Sequence, residues 1–306
     1  MSGVRGVVGR AGYGRRMTRL ATVFIPQFAP EQLRPVARAA DEAGIDELWV
    51  WEDCFYESGV ATAAAVLAWT ERVHVAIGIL PVPLRNVALV AMEAATLHRL
   101  FPGRVTLGVG HGVQSWMGQV GARASSPLTL LREHLDALRA LLAGERVTVD
   151  GRYVKLDGVE LAWPPDQAPP VLSGGTGPKT LRLTGESADG TILAGGASPE
   201  VVEEAADLVR AGRQAAGRGG EHPLVASILV ATGPGAERRL AEDARRMGWD
   251  PAAEAHVAGD AAAVAAAVDR WAAAGATTVV LQPTADEPDP VAFVRWVAEE
   301  VRPLVS

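Results

Sequence analysis

The 306-residue chain has a single cysteine, Cys54. That excludes a disulfide framework and any zinc or iron–sulfur centre built on several thiolates, and it points to a reduced, cytoplasmic setting. No apolar run reaches the ~20 residues that span a bilayer, so no membrane partner is expected. Cations are in deficit, 29 Lys and Arg against 36 Asp and Glu. Phosphate backbones are held by clustered cations, so a nucleic-acid partner is not expected either. The histidines at 74, 98, 111, 134, 222 and 256 show no HxxxH or HExxH spacing, and no metal is implied. A GxSxG nucleophile elbow is also missing.

What is present is an ordinary globular composition, 48% hydrophobic and 21% charged, with a net charge of −7. The charge is uneven. Residues 1–16 carry four arginines, five glycines and no acid, so they hold +4 and leave −11 on the remainder. Two readings stand for this segment: a disordered basic arm, or a start placed too early, with Met17 as the first residue. Residues 17–306 read as one domain.

From Arg19 onward short apolar runs alternate with amphipathic ones. Strands are expected at 19–25, 47–51, 73–80, 104–110, 169–174, 189–195, 224–232 and 277–283. Helices fall at 30–44, 58–70, 86–100, 126–143, from Pro178, at 198–217, 234–247 and 260–274, and near 289–303. The helix at 198–217 carries its own punctuation: Ser198 as cap, Pro199 in the first turn, Glu200 at the positive end, Gly217 as stop. Eight βα units are the arithmetic of a (β/α)8 TIM barrel, with a doubly wound sheet as the other architecture that this alternation permits. Two stretches interrupt the rhythm. Residues 111–125 form a long loop after the fourth strand, and 144–161 alternate with period two about Asp150-Gly151, a hairpin inserted before the fifth.

Two glycine clusters lie where a barrel keeps its active site, after strand C-termini. GVGHG at 108–112 lacks the third glycine and the downstream acid of a dinucleotide turn, and reads as a tight turn against a flat ligand. SGGTGPKT at 173–180 joins a strand to a helix N-terminus, where unpaired N–H groups and Lys179 favour an anion.

The run AIGILPVPLRNVALVAMEAATLHRLFPGRVTLGVGHG (76–112) resembles the luciferase-like flavin and deazaflavin oxidoreductases. SGGTGPKTLRLTGESADG (173–190) resembles their second signature and GATTVVLQP (275–283) their last strand. The pattern is most similar to the branch that uses coenzyme F420, which includes methylenetetrahydromethanopterin reductases; FMN-using monooxygenases share much of it. The resemblance implies a cis peptide at Gly78-Ile79 behind the deazaflavin ring. It also implies a phosphate segment at Gly174, Gly175, Gly177, Pro178 and Lys179, and ring contacts at Gly108, Gly110 and His111. It suggests a homodimer acting on a small molecule.

Departures from the family leave the proton donor open. An Asp-His pair common after strand two is replaced by Trp51-Glu52-Asp53, and Val113 stands where some members have an acid. The catalytic candidates are therefore Asp53, Glu52 and His111, a carboxyl beside Trp51 being a plausible acid once desolvated. For Glu52-Asp53 the plainer reading is a structural pair capping the next loop. Trp51, Trp116 and Met117 are candidates for the substrate pocket, the last two alternatively packing onto the barrel rim. Trp49, Trp69, Trp249, Trp271 and Trp296 read as core or interface. The expected function is F420-dependent hydride transfer at C5, reducing an activated C=C or C=N bond, with alcohol oxidation as the reverse sense. Alternatives are an FMN-dependent monooxygenase and a non-catalytic ligand-binding barrel. A glycosidase would need a second acid at another strand end, where His111, Gly195 and Gln282 stand instead.

Overall fold

A computed structural model describes residues 18–250 and 254–306. The segment 1–16 lies outside the described residues. The chain opens with β1 (Arg19–Phe24), α1 (Leu33–Ala43), β2 (Glu47–Val50), α2 (Gly59–Trp69), β3 (His74–Pro81), α3 (Val87–Leu100) and β4 (Val105–Gly110). It continues with α4 (Gln114–Gln119), α5 (Pro127–Leu142), β5 (Val147–Asp150), β6 (Lys155–Val159), β7 (Val171–Gly175), α6 (Pro178–Ser187) and β8 (Gly190–Leu193). The last third holds α7 (Pro199–Ala215), β9 (Leu224–Ala231), α8 (Ala236–Arg246), β10 (His256–Ala258), α9 (Ala261–Ala273), β11 (Thr278–Pro283) and α10 (Pro290–Trp296).

All eight expected strands form, and they close. Parallel pairing runs β11-β1-β2-β3-β4-β7-β8-β9, and β9 returns to β11 through six registered pairs from Thr278↔Val225 to Pro283↔Val230. An open doubly wound sheet would leave two edges unpaired; this ring leaves none, so the molecule is a TIM barrel. Strand residues are buried on both faces, as in the fully buried β9, because side chains fill the barrel inside while helices cover it outside. Helix ends follow the sequence: Asn86 and Ser198 accept from Ala88 and Val201 N–H groups, and Gly44 ends α1 in the left-handed region at φ 70°.

Three details differ from expectation. The long loop after β4 contains a helical turn and a half, α4, whose Met117 is wholly buried. The hairpin β5–β6 forms, but its turn spans 151–154 rather than a tight pair: Gly151 N–H bonds the Val154 carbonyl at 2.9 Å. The Glu133 carboxylate holds that wider turn open by accepting from the N–H groups of Arg152, Tyr153 and Val154 at 2.8–3.0 Å. Finally, the short strand β10 adds to the upper half of β9, where β8, paired only with Leu224 and Val225, no longer reaches.

Candidate active site

A cavity of about 560 Å³ opens at the C-terminal ends of the barrel strands, a size suited to a flat cofactor ring with a small partner. One side of it is glycine. β3 carries a register shift between Ile77 and Leu80, and within it the Gly78–Ile79 peptide is cis, as the resemblance implies. The Ile79 side chain then lies against the backbone of the neighbouring strands. A Cβ on Gly110 or on Gly174 would come within 3.2 Å of it. These two positions leave a flat bed, with Gly175 and Thr176 continuing it toward α6. Gly78 is bare for another reason: a Cβ there would meet the Trp49 ring at 2.7 Å.

Not every glycine singled out reaches the cavity. Gly108 lies below the floor, its missing Cβ being the space taken by Ile192 and by the Ile77 carbonyl. Its role is close packing rather than contact with a ligand. Gly177, Pro178 and Lys179 stand outside the cavity at the N-terminus of α6, with Lys179 exposed and no side chain capping the helix. His111, at the end of β4, lines the cavity and its Nε2 pairs with the Thr180 hydroxyl at 3.1 Å, tying β4 to that helix. Burial pushes its pKa below the usual histidine range, against a smaller opposing effect from the Pro127 backbone. Its Nδ1 is buried without a partner of hydrogen-bonding geometry.

The adjacent carboxylates separate into two roles. Glu52 is gripped by Arg85, whose Nη2 lies 2.7 Å from Oε2 and whose Nη1 bonds Oε1, and it also accepts from the Gly59 N–H at 2.7 Å. Both oxygens accept from Arg85, and Oε2 also from the start of α2, so Glu52 ties that helix to Arg85. Its guanidinium partner continues to Glu93 at 3.4 Å. Asp53 makes no side-chain hydrogen bond among the described residues and faces the cavity. Burial pushes its carboxyl up, with Arg246 pulling the other way; Arg246 itself is held by Asp243 at 2.7 Å. Cys54 follows, half-buried and joined to Phe55 by a second cis peptide. Burial, Glu52 and Asp53 all push its thiol up, away from the reactive thiolate form.

Aromatic rings form much of the remaining wall. Trp51 and Trp116 line the cavity as expected. Met117 does not: it is 0% exposed and packs under Gly112 on the rim. Trp249, expected as a core residue, lines the cavity from the stretch between α8 and β10. Its indole covers Gly195 and Gly196, where a Cβ would approach within 2.6 and 3.0 Å. Gly195 and Trp249 are distant in sequence, so only their pairing in space identifies the role. Gln282 and Ser227, on β11 and β9, complete the lining. Among the described residues no cluster of three or more His, Cys, Asp or Glu is placed to hold a metal. None of the helices described is long and apolar enough to cross a membrane.

The arrangement defines a (β/α)8 barrel that presents a flat glycine bed, an aromatic wall and two acids, Glu52 anchored by Arg85 and Asp53 facing the cavity, at its strand C-termini. The family model for luciferase-like monooxygenases matches residues 11–282; the chain belongs to that family. Among curated proteins it is similar to a 5,10-methylenetetrahydromethanopterin reductase of Methanolobus tindarius, 33% identical over 64% of this chain and 59% of that protein. An F420-dependent glucose-6-phosphate dehydrogenase of Beutenbergia cavernae is 35% identical over 58% of this chain and 56% of its own. The aligned region thus spans less than two thirds of these relatives' length. In fold the chain is similar to an F420-dependent secondary alcohol dehydrogenase in complex with an F420-acetone adduct. That match has a TM-score of 0.86 at 23% identity, covering 95% of this chain and 100% of the other. An FMN complex of 3,6-diketocamphane monooxygenase from Pseudomonas putida gives 0.76 at 18%, covering 94% and 99%.

Proposed function

We propose that this protein is an F420-dependent oxidoreductase that transfers a hydride between the deazaflavin and a small organic substrate, in the direction of reducing an activated C=C or C=N bond. The observation that carries the reading is the bed around Ile79, where Gly110 and Gly174, kept bare by the Ile79 side chain packed against them, put no side chain of their own in the way of a planar ring. When bound, the cofactor supplies a carbon centre, C5, that accepts or gives a hydride. Gly174, Gly175 and Thr176 lead from that bed to the uncapped α6 N-terminus, where backbone N–H groups and Lys179 suit an anionic tail. His111 lines the same edge, its Nε2 tied to the Thr180 hydroxyl. Trp51, Trp116 and Trp249 exclude water, and Asp53, raised by burial, holds the proton that a reduced substrate needs. The names of the curated glucose-6-phosphate dehydrogenases this chain resembles, which are F420-dependent, support F420 over FMN. A homodimer in the cytoplasm completes the proposal.

Titrating the protein with F420 and with FMN, by cofactor absorbance and tryptophan quenching, tests the reading. Saturable F420 binding with turnover of an unsaturated acceptor is expected. Binding of FMN alone would identify a monooxygenase. Tight F420 binding without turnover across a broad acceptor panel would identify a ligand-binding barrel.

A further inference from the structure

Gln282, near the C-terminal end of β11, is 1% exposed and lines the cavity, yet its Oε1 is buried and accepts no hydrogen bond. Leaving such an acceptor unpaired forfeits the hydrogen bonds it made in water, a loss that a ligand donor recovers. Ser227 lies on the same inward face of the neighbouring strand, one layer lower, since Val280 pairs with Ser227 and Gln282 with Leu229. In the ring order β11 is four strands from β4, and β9 four from β3. Gln282 and Ser227 therefore look across the cavity at Gly110 and Ile79.

No cation is offered to this space. Among the described residues no Lys or Arg lines the cavity; the acids there are Glu52, already paired with Arg85, and Asp53. The cations behind them, Arg85 and Arg246, are engaged by Glu52 and Asp243. A carboxylate or phosphate entering would give up its hydration and find no counter-charge. We propose that the β9–β11 wall selects an uncharged, apolar-bodied substrate that donates a hydrogen bond from a hydroxyl or N–H group to the Gln282 side-chain carbonyl. A sugar phosphate, the substrate in the name of several relatives, is thereby disfavoured. The assignment rests on the cofactor reading above, which gives the glycine bed to the ring and leaves this wall to the substrate.

The test titrates the full chain, with and without F420, with cyclohexanol, methoxycyclohexane and cyclohexanecarboxylate, following tryptophan emission. Cyclohexanol should bind about ten-fold more tightly than the ether, the value of one buried hydrogen bond, and the carboxylate most weakly. Gln282→Leu should bring the alcohol to the ether's affinity and leave the ether unchanged; Gln282→Met serves if that variant does not fold. Carboxylate binding as tight as the alcohol's, equal or absent binding of all three, or an alcohol preference that survives the substitution overturns the proposal. If F420 does not bind but the ranking persists, the cofactor reading fails and this one stands. A reversed ranking with F420 bound overturns this one alone.

Discussion

The two sides of the cavity are built in opposite ways. Across β3, β4 and β7 the chain removes side chains, and Gly110 and Gly174 let Ile79 and the backbone form a surface without projections. Across β9, β11 and the stretches after β2 and α8 it adds them: Trp51, Trp249, Gln282 and Ser227, with Asp53 at the edge. A surface of backbone reads shape and offers amides, so it suits a ligand that is always the same. A surface of side chains can be altered one residue at a time, so it suits the partner that differs between relatives. The same division separates Glu52 from Asp53: one is consumed in holding α2, the other is left to the cavity.

If the division is correct, Asp53→Asn has the largest effect. It should lower kcat by about 1,000-fold, within the usual range for a lost general acid, with F420 affinity unchanged. Stopped-flow turnover alongside a cofactor titration checks it, and an equal loss in both would erase the contrast between the walls. Gly174→Val comes next. Its Cβ would come within 3.2 Å of Ile79 and push that side chain out of the bed, and F420 affinity should fall about 100-fold, or ~2.7 kcal/mol. Unfolding curves confirm that the fold persists; unchanged affinity would move the cofactor off the glycine bed.

The scaffold was legible in the sequence because each strand and helix carries its own period and punctuation, from the buried run of β9 to the Ser198-Pro199 start of α7. The motifs singled out Gly110 and Gly174, which line the cavity, but equally Gly108, which packs below its floor, and Gly177, which stands outside it. The Glu52–Arg85 pair was not legible, because it joins residues on different loops and nothing in the order Trp51-Glu52-Asp53 says which acid finds a cation. Trp249 and Gln282 escaped for the same reason. An indole near the end of α8 resembles a core residue until Gly195 and Gly196 are seen beneath it. Met117 shows the converse: a large apolar residue in a loop reads equally as pocket wall or rim packing, and only α4, which turns it inward, decides for the rim. Properties set by periodicity survive in one dimension, whereas those set by pairing across the ring do not.

Trp249→Ala sharpens the comparison from the side-chain wall. Removing the indole uncovers Gly195 and Gly196 and opens the cavity to water. The expected outcome is a rise of about ten-fold in substrate KM, a loss typical of one apolar contact surface. F420 affinity should change little. Steady-state kinetics at saturating cofactor separates the two, and a larger loss of cofactor than of substrate affinity would place Trp249 on the wrong wall.

The smallest effect is on stability against pH, and here the two walls should slope in opposite senses. Burial lowers the pKa of His111, so the folded protein resists protonating it. Its contribution is present above the unfolded histidine value of ~6.5 and is lost as pH falls from there through the lowered folded value. Burial raises Asp53, so its contribution is present below the unfolded value of ~3.9 and is lost as pH rises through the raised folded value. Both groups are partly solvated, so each contributes no more than about 1 kcal/mol after screening. Urea unfolding of the wild type, His111→Gln and Asp53→Asn from about pH 4 to about pH 8 measures the two difference curves. The wild type should lose its advantage over His111→Gln toward acid, and any advantage over Asp53→Asn toward base. Curves that slope the same way would mean that the two groups do not both sit uncharged across the cavity, and the acid on the substrate side would have to be sought elsewhere.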